Sequence, residues 1–130
     1  MAKRRLSHIL YVEDDADIRE IVRLSLESVG GFNIAVCASG VAAVEVAPSV
    51  KPDLILMDVM MPDMDGPSTL RALRALPETT TTPVIFFTAK VQPGDLEQYK
   101  ESGALDVIFK PFDPMRLPSD ISRIWAKHYG

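Results

Sequence analysis

Four short apolar runs frame this chain, at residues 9–12, 54–57, 84–87 and 107–109. Each is bounded by polar or turn-forming residues. A short, continuously apolar run of this kind reads as a strand buried on both faces, as in a parallel sheet covered by helices. Residues 32–37 read as a further strand. Segments with helical spacing lie between these runs. The alternation of strand and helix predicts one doubly wound, five-stranded parallel α/β sheet with five helices.

The first strand is expected over residues 7–12. A helix follows, with Asp15 or Asp17 as its cap and Ile18, Ile21, Val22, Leu24 and Leu26 as apolar positions. Gly30 and Gly31 end it. Ser39 then caps a short helix through Val41, Val44 and Val46, which Pro48 stops. The third strand covers residues 53–57. Residues 60–67 form a Pro/Gly loop, with Pro67 in the first turn of the next helix and Leu70 and Leu73 on its core face. Residues 77–83, rich in threonine, read as loop and nothing more. The fourth strand covers residues 84–87. Pro93 opens the fourth helix and Gly103 closes it. The fifth strand is expected over residues 106–109. Asp113 caps and Pro114 starts a last helix carrying Leu117, Ile121, Ile124 and Trp125, with Trp125 anchored in the core. That helix runs almost to Gly130, so a single domain over residues 1–130 is expected, with no room in them for an output domain.

Composition narrows the class. With 47% hydrophobic and 25% charged residues the chain matches an ordinary globular protein, and 130 residues suffice for one sizeable core. A net charge of −4 makes a nucleic-acid surface a poor default, so no direct DNA binding is expected. Lys3, Arg4 and Arg5 form a small basic start, read as a solvated terminus. The one cysteine, Cys37, cannot form an internal disulfide and is expected to be a buried, inert thiol, which suits a reducing cytoplasm. No apolar stretch approaches the ~20 residues that span a bilayer. The N-terminus lacks the apolar core of a signal peptide. No membrane association is expected.

The polar residues after the runs supply the chemistry. The carboxyl ends of parallel strands all point one way, and ligands bind there. Glu13, Asp14, Asp58, Thr88 and Lys110 therefore meet at one edge: three carboxylates, a hydroxyl and an ammonium. Like charges repel and shift each other's pKa. A hard divalent cation, which prefers oxygen ligands, resolves that conflict. Asp15 is better read as a helix cap than as a ligand. His8 and His128 read as ordinary.

Four pieces of the chain now carry a family likeness: residues 9–15, residues 56–66, Phe87-Thr88-Ala89, and Gly103-Ala104 through Lys110-Pro111-Phe112. In this order and spacing they resemble the receiver domain of two-component response regulators, in particular its stand-alone, chemotaxis-type members. The resemblance implies a flavodoxin-like sheet of order 2-1-3-4-5. It implies Asp58 as phosphoacceptor, attacking in line to form an acyl phosphate. The implied cofactor is Mg²⁺, held directly by Asp14, by Glu13 directly or through water, by Asp58 and by the backbone carbonyl of Met60. Lys110 would steady the phosphoryl oxygens, aimed by a cis peptide before Pro111. Thr88 would hydrogen-bond a phosphoryl oxygen and move toward it, and small Ala89 leaves the approach open. Met60 and Lys90 would tune hydrolysis of the phosphoaspartate.

The implied partners are a histidine kinase or histidine phosphotransfer protein, and a downstream protein target met by the face of the fourth helix, fifth strand and fifth helix. Such a module is not an enzyme with a separate substrate; it catalyses only its own phosphoryl transfer and dephosphorylation. One position departs from the family. Val107 stands where Tyr or Phe is common, and valine has no ring to swing inward with the threonine.

Two other classes compete. A metal-dependent hydrolase with an aspartyl-phosphate intermediate typically needs an acid two residues after the nucleophile, and that position is Met60. A phosphate-independent interaction module of receiver fold usually lacks an acid, the threonine or the lysine, and all are present.

Overall fold

The computed structural model describes residues 5–89, 92 and 94–129. Lys3, Arg4, Lys90, Pro93 and Gly130 lie outside the described residues. Five strands form one sheet: β1 (His8–Val12), β2 (Asn33–Cys37), β3 (Leu54–Asp58), β4 (Val84–Thr88) and β5 (Asp106–Phe109). Their order is β2-β1-β3-β4-β5, all parallel, as expected. The helices are α1 (Ala16–Leu24), α2 (Gly40–Val50), α3 (Gly66–Arg74), α4 (Asp95–Glu101) and α5 (Leu117–Tyr129).

Two-residue alternation along the strands builds two cores. Leu10, Val12, Ile55, Met57, Phe86 and Val107 face Ala43 and Ala47 of α2 and Leu70 and Leu73 of α3. Ile9, Tyr11, Leu54, Leu56, Phe87 and Ile108 face Val22 and Leu26 on one side and Leu117, Ile121 and Trp125 of α5 on the other. Each such side chain contributes about 1.5–3 kcal/mol by burial. β3 and β4 are buried at every residue, which is why their sequences are apolar without alternation.

Several expectations are corrected. Ile21 and Leu24 of α1 are exposed at 48% each, because Ile18, Val22 and Leu26 sit on the face that meets the sheet. After Leu24 the helix widens into a π turn over Ser25–Val29. Ser25 is thereby buried and donates its hydroxyl to Pro114 O at 2.5 Å. Pro48 does not stop α2. The helix runs on to Val50 and ends at Lys51, which adopts a left-handed conformation. Proline removes one backbone donor, but Lys51 N still donates to Ala47 O at 2.9 Å. Small Ala43 and Ala47, rather than Val41, pack on the sheet.

The threonine-rich segment is more than loop. Pro77–Thr79 form a 3₁₀ turn, and Thr79 and Thr82 are buried. Arg74 Nη1 donates to the carbonyls of both, at 2.9 and 2.5 Å, and so ties α3 to the entry of β4. Asp53 precedes β3 instead of opening it; its carboxylate accepts from the amides of Ser7 and His8. Asp113 caps a lead-in turn, accepting from Met115 N, and α5 begins only at Leu117. Cys37 is half-buried, and burial pushes its thiol up to about 11, consistent with an inert group.

Gly40 marks the tightest helix contact. A Cβ there would lie 2.2 Å from Thr69 Oγ1 and 2.9 Å from Met64 O. Gly40→Ala should lower unfolding stability by about 1–3 kcal/mol, the usual cost of overpacking. Urea unfolding of the two proteins measures it; equal midpoints would show that α2 and α3 separate freely.

Candidate functional site

The carboxyl ends of β1, β3, β4 and β5 lie side by side, so the residues closing these strands share one edge. Asp58 is the last residue of β3 and Thr88 the last of β4; both are buried. Glu13 follows β1 and is 1% exposed. Asp14 beside it is exposed. Carboxylate oxygens of Glu13, Asp14 and Asp58 lie within 4.8 Å of one another. Lys110, after β5, reaches across β4 to them. Its Nζ donates to Glu13 Oε1 at 3.1 Å and stands 3.6 Å from Asp58 Oδ2.

Local backbone holds these groups in place. The β1–α1 turn is drawn tight by Arg19, whose Nη1 donates to Glu13 O at 2.8 Å. Asp15 is the N-cap of α1, accepting from the amides of Asp17 and Ile18. It is absent from the carboxylate group, as its reading as a cap requires. Met60 N donates to Asp58 Oδ1 at 3.3 Å, while the Met60 side chain is 74% exposed. The loop after β3 folds back on itself: Gly66 N donates to Val59 O at 2.9 Å. A Cβ on Gly66 would press within 3.1 Å of Asp58 O, so a side chain there would displace the strand end that carries the acid. The Lys110–Pro111 peptide is cis, as the resemblance implied.

Three carboxylates face one ammonium, and Glu13 is the most buried of the three. Burial holds its carboxyl above the ordinary glutamate range, and the neighbouring Asp58 raises it further, against the pull of Lys110. The Tyr11 hydroxyl, which donates to Glu13 Oε1 at 3.0 Å, is also held up, by burial first and by Glu13 next.

Sequence reasoning missed three supports. Tyr11 stands two residues before Glu13, and strand alternation alone puts both on one face. Phe87 lies beneath the ammonium, with Lys110 Nζ 5.0 Å from its ring centre. Arg19 is reachable only once the turn is folded. The Val107 side chain is buried beside Phe86 in register, and Phe109, on the same strand face, is 44% exposed.

Comparison with known proteins agrees with this geometry. The response regulator receiver domain model matches residues 9–122. The chain is 38% identical over 119 residues to the DNA-binding response regulator MtrA of Mycolicibacterium paratuberculosis, covering 92% of this chain and 50% of that protein. Among solved structures it superposes on chemotaxis response regulator CheY4 of Vibrio cholerae with a TM-score of 0.83 at 29% identity, covering 92% of this chain and 99% of that one. The receiver domain of sensor histidine kinase PA1611 from Pseudomonas aeruginosa, with a magnesium ion coordinated in its active site cleft, superposes at 0.79 with 32% identity, covering 95% and 97%. A parallel sheet of this order, with an acid pocket at its carboxyl edge, defines the receiver class. The chain belongs to the response regulator receiver domain family of two-component systems, whose known role is aspartate phosphorylation.

The chain spans about half the length of the curated relatives it matches. That corrects one expectation. Net charge alone argues against DNA binding, yet relatives at this identity are DNA-binding response regulators. The charge of −4 describes a segment that matches only about half of those proteins, so it excludes nothing about the rest. Among the described residues no helix is long and apolar enough to cross a membrane.

The raised Glu13 carboxyl has a consequence for stability. A group that binds its proton more tightly when folded stabilises the fold on protonation. Its penalty is absent below the ordinary glutamate range and complete above the raised folded value. In metal-free buffer, the stability of the wild type relative to Glu13→Gln should therefore fall as pH rises through that window. Urea unfolding at stepped pH tests this; a difference that grows with pH has the wrong sign and refutes it.

Proposed function

We propose that these residues act as one phosphorylatable unit, with Asp58 as the acceptor. The observation that carries the reading is the buried Asp58 carboxylate, held between Lys110, the Met60 amide and two further acids. An Asp58 oxygen attacks phosphorus, the bond from phosphorus to the leaving group breaks, and an acyl phosphate remains on Asp58. The donor is a phosphohistidine of a kinase or phosphotransfer protein, as suits a two-component family. The unit transfers and hydrolyses its own phosphoryl group and serves no separate substrate.

The donor set fits a small hard cation. Three carboxylates within one ion's reach, set against one ammonium, leave negative charge to be neutralised. Magnesium accepts one or two carboxylates and keeps several waters. Asp14 and Asp58, Glu13 directly or through water, and the Met60 carbonyl would hold it. When bound, it neutralises charge on the transferring group. The magnesium in the cleft of the PA1611 receiver domain supports this assignment.

The chain's own groups do the rest. Lys110 is already 3.6 Å from Asp58 and needs only to turn from Glu13 to meet an added phosphoryl oxygen. Thr88, at the adjacent strand end, offers its hydroxyl to another. Phe87 beneath Lys110 and the buried strands beside it keep water from the inner side of the pocket.

With Mg²⁺ and acetyl phosphate the chain should gain one phosphoryl group, read by intact mass. Asp58→Asn should gain none; equal incorporation would move the acceptor elsewhere. Asp14→Ala should weaken Mg²⁺ binding in a calorimetric titration. Lys110→Ala should keep Mg²⁺ binding within a few-fold yet reduce phosphorylation. If Lys110→Ala phosphorylates at the wild-type rate, the lysine has no part in transfer.

A further inference from the structure

Strand alternation places the Tyr11 ring directly inward of the Glu13 carboxylate. Tyr11 is fully buried, and its ring packs 6.5 Å from that of Phe87. Its hydroxyl donates to Glu13 Oε1 at 3.0 Å, and Lys110 Nζ donates to the same oxygen at 3.1 Å. A carboxylate oxygen has about two lone-pair positions. Oε1 is therefore filled. The other oxygen, Oε2, accepts a longer bond from Asp15 N at 3.3 Å. The carboxylate is thus held with one oxygen committed to donors and one with capacity to spare.

The two donors differ in kind. Lys110 hangs on a flexible stem and is shared with Asp58. Tyr11 is fully buried, and among the described residues its hydroxyl donates to Glu13 alone. Of the two, only the phenol can fix the carboxylate's rotation while Lys110 moves.

From this geometry we infer that Tyr11 is a positioning residue for the cation site, leaving only Oε2 of Glu13 to meet the ion, directly or through water, and so favouring Mg²⁺ over the larger Ca²⁺. The inference rests on the reading of Glu13, Asp14 and Asp58 as that site. Mg²⁺ demands near-ideal octahedral geometry at about 2.0–2.1 Å, whereas Ca²⁺ takes carboxylates with one or both oxygens at about 2.3–2.6 Å in flexible arrangements. A fixed carboxylate with one oxygen occupied suits the first ion. Without the hydroxyl, Glu13 can rotate and present both oxygens, which suits the second. Groups that orient a ligand from outside the coordination shell typically change metal affinity by about 10–100-fold.

Calorimetric titration of the wild type, Tyr11→Phe, Glu13→Gln and the double variant with magnesium chloride and with calcium chloride tests this. Tyr11→Phe should weaken Mg²⁺ binding by about tenfold and Ca²⁺ binding by clearly less, so the Mg²⁺/Ca²⁺ affinity ratio falls. In the Glu13→Gln background the same change should leave the ratio alone. A ratio unchanged by Tyr11→Phe, or one that falls equally without Glu13, overturns the inference while leaving the cation site intact. A wild type that binds neither ion removes the site itself and the inference with it. Should Tyr11→Phe fail to fold, the wild type still decides. The Tyr11 ring carbon bearing the oxygen, labelled with ¹³C, should shift with Mg²⁺ at the calorimetric midpoint, and a resonance that stays still at saturation overturns the role.

Discussion

The ammonium of Lys110 binds the carboxyl edge of this sheet together. It reaches from the end of β5, across β4, to carboxylates carried by β1 and β3. Without it, Glu13 and Asp58 would be two buried like charges in contact. Even with it, burial first and the neighbouring Asp58 next keep Glu13 above its ordinary range, and three acids still stand against one ammonium. A site left short of positive charge at rest is one that a divalent ion can complete.

The surrounding fold serves to keep that edge in register. Two buried faces fix the sheet, and their alternation decides which side chains reach the pocket. Tyr11, Glu13 and Phe87 follow the α1/α5 side, and Lys110 follows Ile108 on the same side. The π turn after α1 brings Ser25 onto Pro114 O, joining that side to the segment after Lys110. On the opposite side Gly66 lets the loop after β3 close on Asp58. Both halves therefore press on the same few strand ends.

Valine at position 107 carries no ring, while Tyr11, Phe87 and Phe112 lie in ring contact in series, with Phe87 beneath the ammonium. Aromatic pairs in such contact add about 0.5–1.5 kcal/mol beyond their area burial.

Much of this was legible in the sequence. Uninterrupted apolar runs identified β1, β3, β4 and β5, because a strand buried on both faces must be apolar throughout. The residue after each run marked the pocket, since parallel strands end on one side. The exposure of Ile21, the passage of α2 through Pro48 and the tie from Arg74 to the threonine carbonyls were not legible. Each depends on a neighbour distant in sequence or on a balance of several bonds, and local propensity carries neither. The same holds at the site. By itself the sequence determined which acids, hydroxyl and ammonium share the edge. Only the tertiary structure decided that Lys110 rests nearer Glu13 than Asp58, and that Tyr11 holds the same oxygen, because those choices turn on packing differences of well under 1 Å.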